Sequence, residues 1–478
     1  MEKTVTKFVL YSGLCTIGGV IASVTYGKSR VIFEFGTAYD PAATAFDEAM
    51  ELRPDHWVGD FLRMGQLPRI NGLYRREDLG DDSLASAEES DLNTAVFLTH
   101  LHLDHMALMG AIAPMVPVYL HHNAQIIERA LEDTGEGIPT LARGYSDIEP
   151  FQPVSVGEIE VLPVLCRDTS YYDFAFLITT PDGTIHWTGD LFLHGLQAEK
   201  SMEQMRLLKE KGVDVLLCDA TAFMDSIMEM IYGFTDGNLV RPDLSVPANM
   251  LSESQCREAI RKIITECRGL CVFHYYEREM DDADFLIQCA NETGRLCVFE
   301  PEAAYIVYRF FHIRPYVFFP SAGSDASAGT LEWLKTLRDH CTEVTARQIA
   351  DNPGGFLLQN SYRHLPELFG LPGKDGVYLH LGGAPSGELD PAYQKMCGMV
   401  ETAGFTFSAS PENYLGHSYP GQVKYFVDSI DPKVLIPCHS NHPERLLPLH
   451  GKQLLPERNK VYILDRHRFY PQEDGAEE

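Results

Sequence analysis

Residues 95–105 read Ala-Val-Phe-Leu-Thr-His-Leu-His-Leu-Asp-His, an apolar run that ends in four residues with metal-binding side chains, His100, His102, Asp104 and His105. On an extended backbone residues i and i+2 face the same side, so His100 and His102 can share one cation. Asp104 and His105 then turn toward a second position. Imidazole and carboxylate donors suit zinc, manganese or iron, and the lack of a thiolate cluster argues against a closed structural zinc site. Histidines that only cap a helix after a strand do not account for this density of ligands.

Upstream, residues 8–27 and 29–36 alternate β-rich runs with Gly turns, the pattern of antiparallel sheet. The Gly18-Gly19 pair splits 8–27 into a hairpin, which argues against a membrane span of about 20 residues. With neither a basic leader nor a cleavage site, the expectation is a cytoplasmic protein without a membrane segment. Downstream, strands are expected at 159–165, 174–179 and 184–188. From about residue 200 helices alternate with single apolar strands: 201–211 before VDVLLCD (213–219), 252–267 before LCVFHYY (270–276), and 282–292 before RLCVFE (295–300). Such alternation implies a parallel sheet with helices on its faces. A helix at 422–429 and the strands KVLIPCH (433–439) and KVYIL (460–464) return to the first pattern. The expected architecture is α/β: a sheet sandwich in two parts, 1–230 and 401–478, interrupted by an inserted α/β domain at 231–400, of roughly the usual domain size. The acidic tail EDGAEE (473–478) at the end of the second part reads as loose.

The chain has 478 residues, 45% hydrophobic and 22% charged, enough for a large core in two or three domains. Lys and Arg total 39 against 68 Asp and Glu, a formal charge of −29. That excludes a broad basic face holding nucleic acid by counterion release alone, so any polyanion must be gripped locally. The 11 cysteines are scattered without a CxxC pair, many inside apolar runs, as expected of buried free thiols in a reducing compartment.

HxHxDH is the hallmark of the metallo-β-lactamase fold. Together with the segments below, the sequence resembles the branch of that fold with a β-CASP insertion, the family of ribonuclease J and related nucleases. Residues 16–36 resemble the family's opening strands, which end in a supporting acid, here Glu34. WTGDL resembles the strand end that supplies a bridging carboxylate, here Asp190. LLCDAT resembles the first β-CASP motif, with Asp219 as its acid. LGHSYPGQVKYFVDSIDPKVLIPCHSNHPE resembles the stretch with the last two motifs, placing Gly416-His417 in the Gly-His position and His439 as the terminal ligand. HYYEREMDDADFLIQCANETGRLCVFE, which contains Arg278, is similar to the helical part of the insertion.

The resemblance implies an αββα sandwich interrupted by a β-CASP-like domain, and two divalent ions, zinc or manganese. His100, His102 and Asp168 would hold one, Asp104, His105 and His439 the other, with Asp190 between them. It further implies hydrolysis of nucleic acid, RNA or single-stranded DNA from an end, by a metal-activated hydroxide, with His417 donating a hydrogen bond or proton to the phosphate. Glu34, and less directly Asp219, would orient ligands. Asp168 departs from the pattern, since relatives have His there. Either its carboxylate ligates, or it pairs with Arg167 and leaves coordination.

Gly416, His417, Arg278 and His194 are the candidate substrate contacts, although His194 equally suits turn capping. Arg278, Arg295, Arg309, Arg314 and Lys335 can line a strand channel with Tyr275, Tyr276 and Tyr305 as stacking platforms, or be surface charges and core aromatics. His274 ends a strand and reads as structural or as facing a cleft, and GGAPSGE (382–388) as a turn or a phosphate cradle. Two other functions compete: a degenerate scaffold or regulatory partner of an active relative, and a hydrolase of small phosphoesters or thioesters. Oligomeric state is open, a homodimer being one option.

Overall fold

The computed structural model describes residues 3–39, 50, 52–53, 55–80, 82–137, 144–167, 173–321, 332–385, 387 and 390–473. It is a mixed α/β structure of two compact units, one comprising residues 1–125, 138–250 and 415–478, the other 126–137 and 251–414.

The first unit holds two sheets. One runs in the order Arg468–Pro471, Val461–Asp465, Thr6–Ser12, Ile21–Tyr26, Ser29–Phe33, Asn93–Phe97, Val118–Leu120 and Ser146–Asp147. The other runs Lys452–Gln453, Val434–Cys438, Val215–Asp219, Gly183–Trp187, Asp173–Thr180, Ile159–Arg167 and Val154–Val156. Phe8, Leu10, Val31 and Phe97 of the first share one core with Val161, Phe176, Trp187 and Leu217 of the second. Each such side chain contributes about 1.5–3 kcal/mol by leaving water. The alternate residues Leu177, Leu216 and Leu435 pack beneath Leu208 of helix Ala198–Lys211 and Phe426 of helix Pro420–Ile430. Segment 8–27 forms the expected antiparallel hairpin, and among the described residues no helix is long and apolar enough to cross a membrane.

The second unit is built on one parallel sheet in the order Thr342–Glu343, Tyr316–Val317, Leu296–Phe299, Phe356–Gln359, Cys271–His274, Val377–His380 and Thr406–Ala409. Its main stretch, 251–414, lies between two stretches of the first unit, and residues 126–137 join it. Residues 231–250 stay with the first unit because the Asp243 N–H donates to the Gly421 carbonyl and Gln422 Nε2 to the Leu244 carbonyl. Residues 401–414 belong to the second because Thr406–Ala409 forms its edge strand beside Val377–His380.

Candidate metal centre

Four strands of the first unit end at one place, and each delivers polar side chains as it leaves the sheet. Asn93–Phe97 leads into Thr99–His105, Gly183–Trp187 into Asp190, Val215–Asp219 ends on Asp219 itself, and Val434–Cys438 leads into His439. Glu34 follows Ser29–Phe33 directly. Glu34 and His439 both hold left-handed backbone, φ 61° and 56°. For residues other than Gly this costs about 1–3 kcal/mol, strain that collects at functional sites. Two glycines let the loops close over Asp104: a Cβ on Gly18 would lie 2.4 Å from the Asp104 side chain, and one on Gly36 2.1 Å from its carbonyl.

Asp190 is the hub. Its Oδ2 lies 3.5 Å from His100 Nε2, 4.0 Å from His102 Nδ1 and 3.8 Å from His417 Nε2, while Oδ1 lies 3.1 Å from His105 Nε2 and 3.7 Å from His439 Nε2. Asp104 Oδ2 is 3.0 Å from His439 Nε2 and 3.6 Å from His105 Nε2. Ligand atoms therefore converge in three sets: His100, His102 and Asp190; Asp104, His105 and His439; and Asp190, His417 and His439. One carboxylate with an oxygen turned to each side is the arrangement that bridges two ions.

The Nδ1 atoms of His100 and His439 are held from behind, which fixes their tautomers. Thr99 Oγ1 donates to Glu34 and lies 2.9 Å from His100 Nδ1, so the His100 Nδ1–H must donate to Thr99. Glu34 Oε1 also faces His105 Nδ1 at 3.3 Å and accepts from Trp187 Nε1 at 2.8 Å. Thr221 Oγ1 lies 2.6 Å from His439 Nδ1 and within donating distance of both Asp219 Oδ1 and the His439 carbonyl. Its single proton goes to one of these oxygens, so His439 Nδ1–H donates to Thr221. His100 and His439 are left with Nε2 lone pairs turned toward the acids, the protonation that metal ligation requires.

Asp219 does the same for His417. Its Oδ2 accepts from His417 Nδ1 at 2.8 Å and from the Leu191 N–H at 3.0 Å, and its Oδ1 accepts from the Thr221 N–H at 2.9 Å. Ser418 ties the same loop down by donating its N–H to the Leu191 carbonyl and accepting from the Leu193 N–H. Burial alone would lower the His417 pKa, but Asp219 and then Asp190 outweigh it and raise it to about 9. His105 is raised well above the ordinary value, burial being overcome by Asp190, Asp104 and Glu34, whereas burial and the neighbouring His105 hold His100 well below it.

Glu34, Asp104, Asp190 and Asp219 thus bring four carboxylates into a largely buried site. Among the described residues no Lys or Arg pairs with any of them, and His100 Nε2, both His105 nitrogens and Asp190 Oδ1 make no hydrogen bond. Buried negative charge on this scale requires compensation, and convergent Nε2 and carboxylate oxygens are the donor set of zinc or manganese. The residues fit divalent cations.

Asp168 lies outside the described residues. Gly416 is an exposed loop residue immediately before His417. Two expected substrate contacts are corrected. His194 is 5% exposed, with Nδ1 3.1 Å from Gln422 Oε1, Nε2 3.0 Å from the Leu415 carbonyl, and its ring stacked on Tyr419. Both nitrogens serve the fold. Arg278 is 3% exposed and bonded to the buried Glu128 at 2.7 Å, so it is a core ion pair of the second unit. The expected strand channel loses further members. Arg295 donates to the carbonyls of Gly269, Phe356 and Cys267, Arg314 to the Cys341 carbonyl, Arg309 pairs with Asp133, and Tyr275 is fully buried.

Sequence reasoning missed Thr99, Thr221 and Trp187. Each hydroxyl sits within two residues of an acid or ligand it serves, a signal too short to separate from ordinary turn chemistry.

Comparison of the sequence with protein-family models finds no match, and none is found among curated proteins. The fold is shared with a crystal structure of a protein of unknown function from Enterococcus faecalis V583, at a TM-score of 0.74 and 23% identity, covering 97% of this chain and 100% of that one.

Proposed function

We propose that this chain is a dinuclear metallohydrolase of phosphodiester bonds, with a metallo-β-lactamase sandwich interrupted by a β-CASP-like unit and with nucleic acid, RNA or single-stranded DNA, as its substrate. The observation that carries the reading is Asp190, one oxygen turned to each of two ligand sets among four carboxylates that no Lys or Arg balances among the described residues. Two bound cations would supply a nucleophile at neutral pH and clamp the oxygens of an in-line displacement. His100, His102 and Asp190 would hold the first, and Asp104, His105, His439 and Asp190 the second. Thr99 and Thr221 keep the Nε2 lone pairs of His100 and His439 available. His417, held by Asp219 through Nδ1 with its Nε2 turned toward Asp190, would deliver a proton from Nε2 to the leaving oxygen.

A smaller phosphoester is the second reading, favoured by the engagement of Arg278, Arg295, Arg309 and Arg314 within the second unit. The test is manganese- or zinc-loaded protein against end-labelled RNA, single-stranded DNA and bis-p-nitrophenyl phosphate. Cleavage that vanishes in Asp190→Ala supports the reading, and the favoured substrate chooses between its two forms. Cleavage persisting in Asp190→Ala removes the assignment. A protein that binds two ions and cleaves none of the three would point to the scaffold role.

A further inference from the structure

The second unit carries a row of buried polar side chains with several polar atoms left without a partner. Strands Phe356–Gln359, Cys271–His274 and Val377–His380 run side by side. Register pairs His274 with His380, and the bond from the Asn360 N–H to the Phe273 carbonyl carries Asn360 into the same row. The row stands two residues beyond Val272, Leu358 and Tyr378, which face the core under helix Pro391–Thr402. Period two puts Asn360, His274 and His380 on that same face, about 4.8 Å from strand to strand. They are 3%, 3% and 5% exposed. Asn360 Oδ1, His274 Nδ1 and both ring nitrogens of His380 make no hydrogen bond. Orphaned buried polar atoms are rare, and a contiguous row of them calls for an occupant.

The position in the sheet points the same way. The chain leaving Cys271–His274 goes to Leu296–Phe299 on one side, and the chain leaving Val377–His380 goes to Thr406–Ala409 on the other. The two histidines end the two strands between which the winding reverses, where open parallel sheets hold their ligands. Gly383 passes so close that a Cβ there would lie 3.1 Å from His274 Nε2.

We propose that His274 and His380 form a further metal site in this unit, selective for an imidazole-preferring divalent cation such as zinc. A tetrahedral ion with bonds of about 2.0–2.1 Å to two imidazoles places the ring centres about 5.2 Å apart. The rings of His274 and His380 are 5.1 Å apart and inclined at 59°. Burial holds both in the neutral, ligating form, His274 at about 3 and His380 below its ordinary value. Tyr393 and Phe407 wall His380 with aromatic surface. The site shares no residue with the centre around Asp190.

The test is zinc stoichiometry after chelator stripping and equilibrium dialysis, on wild type, Asp190→Ala, His274→Gln and His380→Gln. Each Gln variant is expected to bind one ion fewer than wild type, while Asp190→Ala still holds the ion that a further His274→Gln removes. In the parent and in the Asp190→Ala background alike, zinc should slow amide exchange at least tenfold at residues 381–383, with magnesium giving no change. Equal zinc content in wild type and both Gln variants would mean that water fills the row, and overturns the site. So does unchanged exchange at 381–383, which needs no folded variant of either histidine.

Discussion

Replacing Asp219 with Asn tests the assignment of His417 most sharply, because the side chain keeps its shape and loses its charge. Asp219 is 1% exposed and accepts from His417 Nδ1, the Leu191 N–H, the Thr221 N–H and, by proximity, Thr221 Oγ1. An Asn amide must turn its NH₂ toward one side of this set, so one backbone N–H or the imidazole meets a donor. The lost charge-assisted bond to His417 is worth about 1.5–3 kcal/mol, or about 10- to 150-fold. The His417 pKa, raised chiefly by Asp219 against burial, must fall. If His417 supplies the leaving-group proton, kcat for a nucleic acid, whose alkoxide leaves poorly, drops by about 10- to 150-fold in the metal-loaded variant. Hydrolysis of bis-p-nitrophenyl phosphate, whose phenolate leaves unassisted, changes less than threefold on the same reasoning. Equal losses on the two substrates would refute the proton-donor role and make Asp219 a determinant of loop geometry alone.

Other consequences are independent of that one. In Gly36→Ala the new Cβ would sit 2.1 Å from the Asp104 carbonyl, forcing the ligand-bearing peptide to move by about 1 Å, beyond the roughly 0.5 Å a preorganised site tolerates. Metal affinity should fall about 10- to 100-fold by competition with a fluorescent chelator, and an unchanged constant would contradict the close approach. Arg278→Met leaves the Glu128 charge buried without its partner and should cost about 3–5 kcal/mol, recovered in part by adding Glu128→Gln. Its kcat/KM below the melting transition should match wild type, and a selective loss of kcat/KM would restore Arg278 as a substrate contact. Burial, with Glu300 adding, pushes Glu277 up to about 7 from the usual 4.5. Between those values the folded chain binds a proton that the unfolded chain lacks, so stability falls as pH rises. Glu277→Gln should therefore stabilise by on the order of 1–3 kcal/mol at pH 8, after discounting for partial exposure, and by almost nothing at pH 4.5. Denaturant melts at the two pH values check it.

Much of the centre was legible because its ligands are dense in sequence. His100, His102, Asp104 and His105 fall within six positions, and Asp190, Asp219 and His439 each close an apolar run, which is where strands hand side chains to a common rim. The helices and strands after residue 200 were legible for the same reason, their periods being uninterrupted. Arg278 and His194 were misread because their partners are remote. Glu128 lies 150 positions from Arg278, and the carbonyl of Leu415 lies 221 from His194. An isolated charge in a polar stretch carries no mark of burial until such a partner arrives. The relays through Thr99 and Thr221 were invisible for the opposite reason, since a hydroxyl beside an acid is common in any turn. The division at 251 and 414 was displaced because residues 231–250 are polar and loop-like, and only the backbone bonds around Gly421 and Gln422 assign them.

The interposition of the second unit also sets a clock. Asp190 and Asp219 leave the ribosome before that unit's main stretch, 251–414, and His417 and His439 after it. At about 5–20 residues per second, the roughly 200 residues between Asp219 and His417 take on the order of 10–40 s to synthesise. Throughout that interval the nascent chain holds all four carboxylates of the cluster but neither His417 nor His439. A chain that hydrolyses nucleic acid would in this way be unarmed while still attached to its own message, and the last ligand would arrive only with the final strands of the sheet.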